Sequence, residues 1–570
     1  MHAPRKFMRF PYGLALTLVV GCSLSLVAGA AANAAEKRGS APSDDAQAQY
    51  HILVGELAAG RQQPETAAEE FIKALDFVAD KALAERATTL ALSANNAELA
   101  FTAARRWLAL DNTSLEAREV LIRLDLRQNL NDDAYAQGAA IVQGHPGGKE
   151  DGFRHVALLL SLEASKGPEA LALMRKLVEQ DPKLSGAWLA QSLLALRFND
   201  ADTAEKSARE ALRLKPDAKD APLLLMGALV KKGDFDGADQ IVESQIKNGG
   251  SVNDLRVGYS RLLLEANQRE KASSQLEKIL KVDPANTEAH FTLGLIALDQ
   301  GHIDEAEPHF QTLIKGGDHA TDAEYYLGRI AQFRGQPAAA LAHYEKVTSG
   351  MQALDAALRR ASMLAKLGQL DNGIALLDQL RRQYPPLATR FYLAEGEILT
   401  EANELDHALE IYGMAIKESD DTLDLLYARS LVYERQKKIE LAETDLRAVL
   451  AQAPNDARAL NALGFMLIVH TQRLDDAEKL VTKALALTPE EPAVIDSMGW
   501  LRFRQGKTNE ALELLKRAYE RFPDPEVAAH YGEALWVQGE HERAKTVWNR
   551  ALQEAPANTV LRDTMTRLNP

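Results

Sequence analysis

A small residue recurs along this chain at steps of 33 to 36 residues, and this period constrains the fold more than any other feature of the sequence. The unit from Pro489 to Pro523 shows the pattern. In it, Ala511, Leu515 and Ala518 are spaced by four and then three residues, which places them on one face of a helix. Proline lacks the N–H that a continuing helix needs, so we expect Pro523 to end this helix.

A second helical pattern precedes this one, at Met498 and Gly499. We expect the small side chains of Gly499 and Ala511 to let two antiparallel helices approach closely, with Leu515 filling the space between them. One such pair cannot bury its apolar face alone, and stacking of pairs would bury a continuous core. The unit occurs 15 times, and its small residues are Ala67, Ala100, Ala134, Ala170, Ala204, Ala238, Ala272, Ala306, Ala340, Gly373, Ala408, Ala442, Ala477, Ala511 and Ala544.

Two further positions keep the same phase as the small residue. The position seven residues later is apolar in every unit except the one that carries Gln245. Twelve residues after the small residue, nine units carry proline, at 146, 182, 216, 284, 385, 454, 489, 523 and 556. This order of small, large, small and proline resembles the tetratricopeptide repeat. The resemblance implies an all-α solenoid of about 15 helix–turn–helix repeats, wound as a right-handed superhelix, after the first 48 residues.

We divide the predicted array where the pattern weakens. Residues 349–352 lack the terminating proline, so the sequence predicts an N-terminal array over 49–350 and a C-terminal array over 351–556. The last stretch, 557–570, contains one more helical pattern between Thr559 and Leu568. Solenoids need their terminal apolar faces covered, which predicts a capping helix there.

The first 48 residues differ from the rest of the chain. Arg5, Lys6 and Arg9 precede an apolar run over 13–32, and a polar stretch follows it. A basic start, an apolar middle and small residues after it are typical of an export signal. We therefore predict an export signal over 1–34, a polar linker over 35–48 and a protein of the bacterial periplasm.

Two processing sites fit this export signal. Small residues at 32–34 suit ordinary cleavage before Ala35. Residues 19–22 instead resemble a bacterial lipobox. In that case the signal would cover residues 1–21 and Cys22 would be lipidated. Cys22 is the only cysteine of the chain, which favours lipidation, but the residues after it stay apolar and valine replaces the commoner leucine at residue 19. A retained signal anchor is a third possibility. Because Ser23 is not the aspartate of inner-membrane retention, a lipidated form would reside in the outer membrane.

Composition and motifs exclude several classes of function. The net charge of −15 argues against nucleic-acid binding, which needs basic surfaces. After Cys22 no cysteine remains for disulfides or for thiolate ligands of zinc. The chain has no phosphate-binding loop, no zinc-protease motif and no nucleophile elbow. His302 and His309 lie seven residues apart, but without a carboxylate partner they do not predict a metal site. We predict a protein that is not an enzyme and that needs no cofactor or metal.

The resemblance implies that the first helix of each repeat lines a concave groove. In the last three repeats, the inward positions combine aromatic with charged or amide side chains, a composition typical of protein-recognition hot spots. The predicted groove residues are Arg458, Asn461, Phe465, Asp496, Trp500, Phe503, Arg504, Glu533 and Trp536. The alternative interpretation is that Trp500 and Trp536 fill gaps between adjacent repeats.

Three stretches of the last repeats carry a closer resemblance, at 461–465, 496–500 and 526–539. They are similar to the periplasmic tetratricopeptide lipoproteins that act as adaptors for carboxyl-terminal processing proteases. That resemblance implies a non-enzymatic adaptor that binds a periplasmic serine protease and brings it substrates, among them peptidoglycan cross-link hydrolases. A scaffold of an exopolysaccharide export or cell-wall assembly complex is the alternative, and an enzyme of unrecognised type is the third hypothesis. In each of the first two, membrane contact would come only from a lipid on Cys22.

Overall fold

The computed structural model describes residues 43–247, 252–315 and 317–568. Over these residues the chain forms 31 α-helices and two short 3₁₀ helices, and it forms no strand. This result confirms the predicted all-α fold. The predicted export signal, with Cys22 and the cleavage site before Ala35, lies outside the described residues. No helix in the described part is long and apolar enough to cross a bilayer.

The chain divides into two compact units, of which the first ends at Gln275 and the second begins at Leu276. This division lies upstream of the predicted one at residue 350. The helices of the first unit are α1 (Asp44–Gly60), α2 (Pro64–Ala74), α3 (Lys81–Ser93), α4 (Ala97–Leu110), α5 (Leu115–Arg127), α6 (Asn131–Gly144), α7 (Lys149–Ser161), α8 (Gly167–Val178), α9 (Ser185–Arg197), α10 (Ala201–Leu214), α11 (Ala221–Lys231), α12 (Phe235–Lys247) and α13 (Asn253–Glu265). The first helix begins inside the predicted linker, at Asp44.

Helix α14 (Arg269–Val282) runs across this division. The helices of the second unit are α15 (Thr287–Asp299), α16 (Ile303–Leu313), α17 (Ala320–Phe333), α18 (Pro337–Tyr344), α19 (Ala353–Lys366), α20 (Leu370–Gln383), α21 (Ala388–Glu401), α22 (Leu405–Glu418), α23 (Leu423–Arg435), α24 (Ile439–Gln452), α25 (Ala457–His470), α26 (Leu474–Leu487), α27 (Pro492–Arg504), α28 (Thr508–Arg521), α29 (Pro525–Val537), α30 (His541–Glu554) and α31 (Thr559–Leu568). The 3₁₀ helices are Ala164–Lys166 and Pro385–Leu387.

The small residues of the predicted period all fall on the second helix of a pair. They occupy the even-numbered helices from α2 to α30, one in each. The 14 alanines among them are fully buried, at 0% exposure, and Gly373 is buried as well. A close-packed helix crossing leaves no space for a larger side chain, which explains why the sequence keeps a small residue at each of these points. The predicted phase of the repeats is therefore confirmed.

The first helix of many pairs carries a glycine opposite a large side chain of the second helix. A Cβ atom added at Gly499 would lie 2.8 Å from Cγ of Leu515, and one added at Gly294 would lie 2.7 Å from Cζ of Phe310. Both distances are shorter than a carbon–carbon contact, so the paired helices approach to a separation that only glycine allows. The predicted packing of Gly499 against Leu515 is confirmed.

Left-handed residues form the tight turns inside the pairs. Gly506 follows α27 with a φ of 78°, and Asn403 follows α21 with a φ of 64°. Glycine and asparagine tolerate this conformation better than other residues, so they end a helix and reverse the chain within a few residues. The paired helices are thereby held antiparallel.

The last helix, α31, covers the end of the array. Leu561 on this helix is fully buried and joins the core of the last repeat, together with Trp548 of α30. Arg567 of α31 donates a hydrogen bond to the carboxylate of Glu533 on α29. These contacts are those expected of the predicted capping helix.

Candidate protein-binding site

The predicted groove residues lie on three successive first helices, α25, α27 and α29. Asp456 caps the first of these helices, because its Oδ1 accepts from the backbone N–H of Arg458 at 2.9 Å. Asp524 caps α29 in the same way and accepts from Glu526 N–H at 2.8 Å. Pro492 stands in the first turn of α27, where its missing N–H costs no helical hydrogen bond. These local signals fix where each helix starts and hence which side chains share a face.

Four rings meet on these helices, and we call them the aromatic cluster: Phe465 of α25, Trp500 and Phe503 of α27, and His530 of α29. The Trp500 ring stacks on Phe503 at a centroid distance of 4.9 Å and on His530 at 4.2 Å. Phe465 and His530 come within 5.8 Å although α27 separates their helices in the sequence. Side chains of α25 and α29 therefore meet across the intervening first helix α27.

A buried polar pair lies beside the aromatic cluster. Nδ1 of His530 lies 2.9 Å from Oδ2 of Asp496, and both side chains are buried. Burial alone would lower the pKa of His530. The charge and the hydrogen bond of Asp496, together with the charges of Glu526 and Glu533, outweigh the effect of burial, and the net pKa is raised. Oδ1 of Asp496 accepts no hydrogen bond from the described residues, and neither does the buried Oδ1 of Asn461. Two hydrogen-bond acceptors thus remain unused on the faces that carry the aromatic cluster.

Two glutamates, which we call the acidic rim, lie near this pair. Glu526 precedes His530 by one helical turn on α29, and Glu434 belongs to α23, where it lies 3.4 Å from His470. Desolvation by the surrounding protein raises the pKa of both carboxyls. The charges of Asp496 and Glu434 raise the pKa of Glu526 further, against the opposing effect of His530. Glu526 nevertheless stays exposed. A side chain on a concave surface can be accessible to solvent and still lose part of its hydration, because protein surrounds it on several sides.

The remaining predicted groove residues are held in contacts between neighbouring helices. Arg458 pairs with Asp424 of α23 at 3.0 Å and with Asp456 at 3.1 Å. Arg504 donates to the carbonyl oxygen of Ile468 on α25 at 2.7 Å. These contacts connect successive repeats, and none of them reaches the aromatic cluster.

Two other predicted residues belong to the end of the array. Glu533 is buried and receives the guanidinium of Arg567. The ring of Trp536 meets His541 edge-on at 4.0 Å and lies 5.9 Å from Trp548. Trp536 therefore packs between α29 and α30, away from the aromatic cluster. The structure brings together five of the nine predicted residues, Asn461, Phe465, Asp496, Trp500 and Phe503.

Three members of the site were not predicted: His530, Glu526 and Glu434. The only sequence signal for His530 and Glu526 is their spacing of four residues, which places both on one face of α29. Glu434 lies more than one repeat away from α29, so no local spacing connects it with them.

A second concave surface lies in the first unit. A groove of about 1300 Å³ is lined mostly by the first helices α7, α9, α11 and α13, together with the loop before α11 and Gln245 of the second helix α12. Its apolar floor includes Leu189, Leu193 and Leu223, and Glu150 and Arg154 lie among its charged residues. The period of the repeats places these residues on first helices, but nothing in the sequence distinguished them from other leucines.

The histidines considered as metal ligands do not meet. His302 lies 3.5 Å from Glu305, whereas Nδ1 of His309 faces Nδ1 of His290 at 2.9 Å. Burial lowers the pKa of His309, and the charge of His290 lowers it further. Within the residues described, no three histidine, cysteine, aspartate or glutamate side chains assemble in a way that could hold a metal ion.

Comparison with known proteins bears on the identity of this array. The chain is 40% identical over 188 residues to TPR repeat-containing protein PA4667 of Pseudomonas aeruginosa, a match that covers 33% of this chain and 32% of that protein. It is 31% identical over 122 residues to mitochondrial import receptor subunit TOM70 of Saccharomyces cerevisiae, covering 20% of each. It is 24% identical over 165 residues to anaphase-promoting complex subunit 7 of Dictyostelium discoideum, covering 28% of each. The matches span about a third or less of these relatives.

Among solved structures, the Cut9–Hcn1 hetero-tetramer of the APC/C is 15% identical with a TM-score of 0.31, covering 91% of this chain and 96% of that one. The family model of the tetratricopeptide repeat matches residues 159–219, 260–323, 291–353, 358–421, 427–492 and 497–559. These matches together span more than half of the sequence. The chain therefore belongs to the tetratricopeptide repeat family.

Proposed function

We propose that this protein is a non-enzymatic scaffold that binds other proteins through the first helices of its last repeats. The observation that carries the proposal is the surface formed by the aromatic cluster, the acidic rim and the unused acceptors of Asn461 and Asp496. Stacking of repeats needs small and apolar residues, as at Ala511 and Leu515, and does not need such polar groups. Aromatic rings beside charged groups are typical of protein-binding hot spots, and Phe465 and Phe503 of the cluster are half-buried.

At a finer level, we propose that the scaffold is an adaptor of the bacterial envelope that brings substrates to a carboxyl-terminal processing protease. By doing so it would influence the turnover of cell-wall hydrolases. Two of the stretches that resemble such adaptors, 461–465 and 496–500, contain the aromatic rings Phe465 and Trp500. The third, 526–539, contains Glu526 and His530. The resemblance is thus concentrated where the candidate site lies.

A scaffold of an exopolysaccharide export or cell-wall assembly complex is the second candidate. Its support is that two relatives are named as subunits, one of the anaphase-promoting complex and one of a mitochondrial import receptor. Proteins with this repeat can therefore serve as components of larger assemblies.

We propose that the protein resides in the periplasm, because its first 34 residues have the pattern of an export signal. Lipidation of Cys22 would anchor it to the outer membrane, and cleavage before Ala35 would release it. The intact mass of the protein isolated from the envelope separates the two: an acylated N-terminal cysteine supports the first and an N-terminus at Ala35 the second. If Cys22 is lipidated, a Cys22→Ala variant is expected to accumulate as precursor or to be released. If cleavage occurs before Ala35, the substitution is expected to have neither effect.

The protein-binding proposal is tested by photo-crosslinking in the native envelope. A benzophenone amino acid replaces Phe503, which is half-buried in the aromatic cluster, or Leu441, which is exposed on the second helix α24. We expect a protein to be crosslinked from position 503 and not from position 441. A serine protease in the product supports the adaptor, whereas a glycosyltransferase or an export channel supports the assembly scaffold. Equal products from both positions, or none from position 503, would contradict the proposed binding surface.

A further inference from the structure

The polar groups of the candidate site are predominantly hydrogen-bond acceptors. Asp496 is 5% exposed, and its Oδ1 accepts no hydrogen bond from the described residues. The buried Oδ1 of Asn461, on the preceding first helix, also accepts no hydrogen bond from the described residues. Buried acceptors are normally paired, and one that is unpaired favours the approach of a donor. The chemistry of these two atoms therefore points to a ligand that donates hydrogen bonds.

The charge of the surface is negative at the same place. Glu526 experiences the negative charges of Asp496, Asp524 and Glu434, and the charge of His530 opposes them. At the end of the array, Arg567 of the capping helix is held by Glu533. Like charges in a partly desolvated site repel one another, and a cation between them removes that repulsion.

Aromatic faces adjoin these carboxylates. Trp500 lies in a stack between Phe503 and His530, one helical turn after Asp496. A cation is attracted to the face of an aromatic ring by the ring's quadrupole. Phe503 and His530 cover the two faces of Trp500, so the half-buried Phe503 is the ring of this stack that a cation can reach. Guanidinium is planar, stacks on aromatic rings and carries five N–H donors without an acceptor. Its shape and its donors match the acceptors and rings of this site, whereas an anionic or carbonyl-rich ligand would be repelled.

We propose that the aromatic cluster and the acidic rim together bind an arginine side chain in an exposed basic segment of the partner protein. The inference rests on the proposed function, and it adds the chemical class of the segment that is bound. In this arrangement Glu526 and Glu434 supply the negative charge, and Asp496 Oδ1 and Asn461 Oδ1 accept N–H groups. The half-buried ring of Phe503 covers the planar face of the guanidinium.

The probe is a capped tetra-arginine peptide, compared with tetra-citrulline, which keeps the shape of the side chain and removes its charge. Binding to the full chain is measured by calorimetry at low and at moderate salt. We expect the arginine peptide to bind and the citrulline peptide to bind at least about tenfold more weakly, the usual effect of losing a charge-assisted hydrogen bond. Tetra-lysine is expected to fall between them, because its ammonium cannot stack. Similar affinities of the arginine and citrulline peptides would overturn the inference, as would a tetra-lysine affinity equal to that for arginine.

Glu526→Gln is the variant that locates the site. Its side chain is exposed, so the substitution is expected to leave the fold intact, as thermal unfolding monitored by circular dichroism would verify. The matched control is Glu542→Gln, which removes the same charge from an exposed position on the second helix α30. We expect Glu526→Gln to weaken tetra-arginine binding at least about tenfold and Glu542→Gln to leave it unchanged. If both variants lost the same affinity for tetra-arginine, the binding would be a general attraction between a basic peptide and an acidic protein. That result would overturn the inference.

Failure of this inference can be told apart from failure of the proposed function. Crosslinking of a protein from position 503 combined with no binding of tetra-arginine would leave the protein-binding surface standing and reject the arginine ligand. Absence of both would reject both.

Discussion

The imidazole Nδ1 of His530 lies 2.9 Å from Oδ2 of Asp496, and the two residues are 34 positions apart, one repeat along the chain. Both side chains are buried between α27 and α29, and the Trp500 ring covers the imidazole. Most contacts between repeats in the core of this unit are apolar. The His530–Asp496 pair is therefore a polar contact that connects two repeats within an otherwise apolar interface. Removing one partner leaves the other buried without its counter-charge.

We predict that His530→Gln makes stability less dependent on pH. The pKa of His530 in the folded protein is raised above its value in the unfolded chain, because Asp496, Glu526 and Glu533 together outweigh the effect of burial. The stabilisation by the pair is therefore fully present below the unfolded pKa, about 6.5, and is lost as the pH rises through the folded pKa. At pH 6 we expect the variant to lose about 3–5 kcal/mol of unfolding free energy, the usual effect of breaking a buried pair.

Urea unfolding of wild type and variant at several pH values measures this dependence. The difference in unfolding free energy between them is expected to shrink as the pH rises through the folded pKa of His530. His407→Gln serves as the control, because His407 is exposed on α22. A difference that stays constant with pH would show that His530 has the same pKa in the folded and in the unfolded protein.

We also predict that Asp125→Asn stabilises the protein at neutral pH. Asp125 on α5 is fully buried, and burial raises its pKa to about 6, since Arg105 at 3.7 Å compensates only in part. For a carboxyl whose folded pKa exceeds its unfolded pKa, ionisation costs stability as the pH rises through both values. A pKa rise from 3.8 to about 6 corresponds to about 3 kcal/mol between pH 3 and pH 8.

Asparagine removes the ionisation and keeps the size of the side chain. The unfolding free energy of Asp125→Asn relative to wild type is expected to rise by about 3 kcal/mol from pH 3 to pH 8. Denaturant titrations at both pH values measure it, with the exposed Asp132→Asn on α6 as control. If the relative stability of the variant did not change with pH, the carboxyl of Asp125 would have to ionise as readily in the fold as in the unfolded chain.

The tight helix crossings give a third prediction. Ala442 on α24 is fully buried where the second helix meets the first, so Ala442→Leu would force three additional carbons into a packed crossing. We expect a loss of about 1–3 kcal/mol of unfolding free energy from overpacking. Ala451→Leu changes the same residue type on the exposed face of the same helix and is expected to leave stability within about 0.5 kcal/mol. Equal effects of both substitutions would place Ala442 outside the crossing.

The fold was predictable because each repeat needs the same few contacts. Alanine at 442 or 511 and glycine at 499 stand where helices touch, and the period of the sequence therefore reports the packing directly. Even the pairing of Gly499 with Leu515 follows from this spacing. A property repeated 15 times is visible in a single sequence.

The candidate site could be predicted only in part, because it depends on how repeats turn relative to one another. Phe465 and Trp500 were found from their phase and their aromatic character. The approach of Phe465 to His530 spans two first helices that are not consecutive, and that distance is set by the local curvature of the array, which the period does not encode. The same holds for Glu434, whose charge acts on Glu526 from another repeat.

The last prediction separates folding from binding at the aromatic cluster. Trp500 is 9% exposed and packed between two rings, so Trp500→Ala is expected to lose about 3–5 kcal/mol of unfolding free energy and partner capture together. Phe503 and Trp536 are half-buried, so their truncation is expected to cost less stability.

These variants are compared by denaturant unfolding and by capture of the crosslinked partner. Phe503→Ala is expected to weaken capture about thirtyfold, as the loss of a hot-spot aromatic does, with a smaller loss of unfolding free energy than Trp500→Ala. Trp536→Ala, whose ring lies against His541, is expected to retain capture. Val537→Ala, an exposed position one residue further on, is the control for both measurements. Unchanged capture in Phe503→Ala, or unchanged stability in Trp500→Ala, would contradict the placement of the binding surface on a packed aromatic cluster.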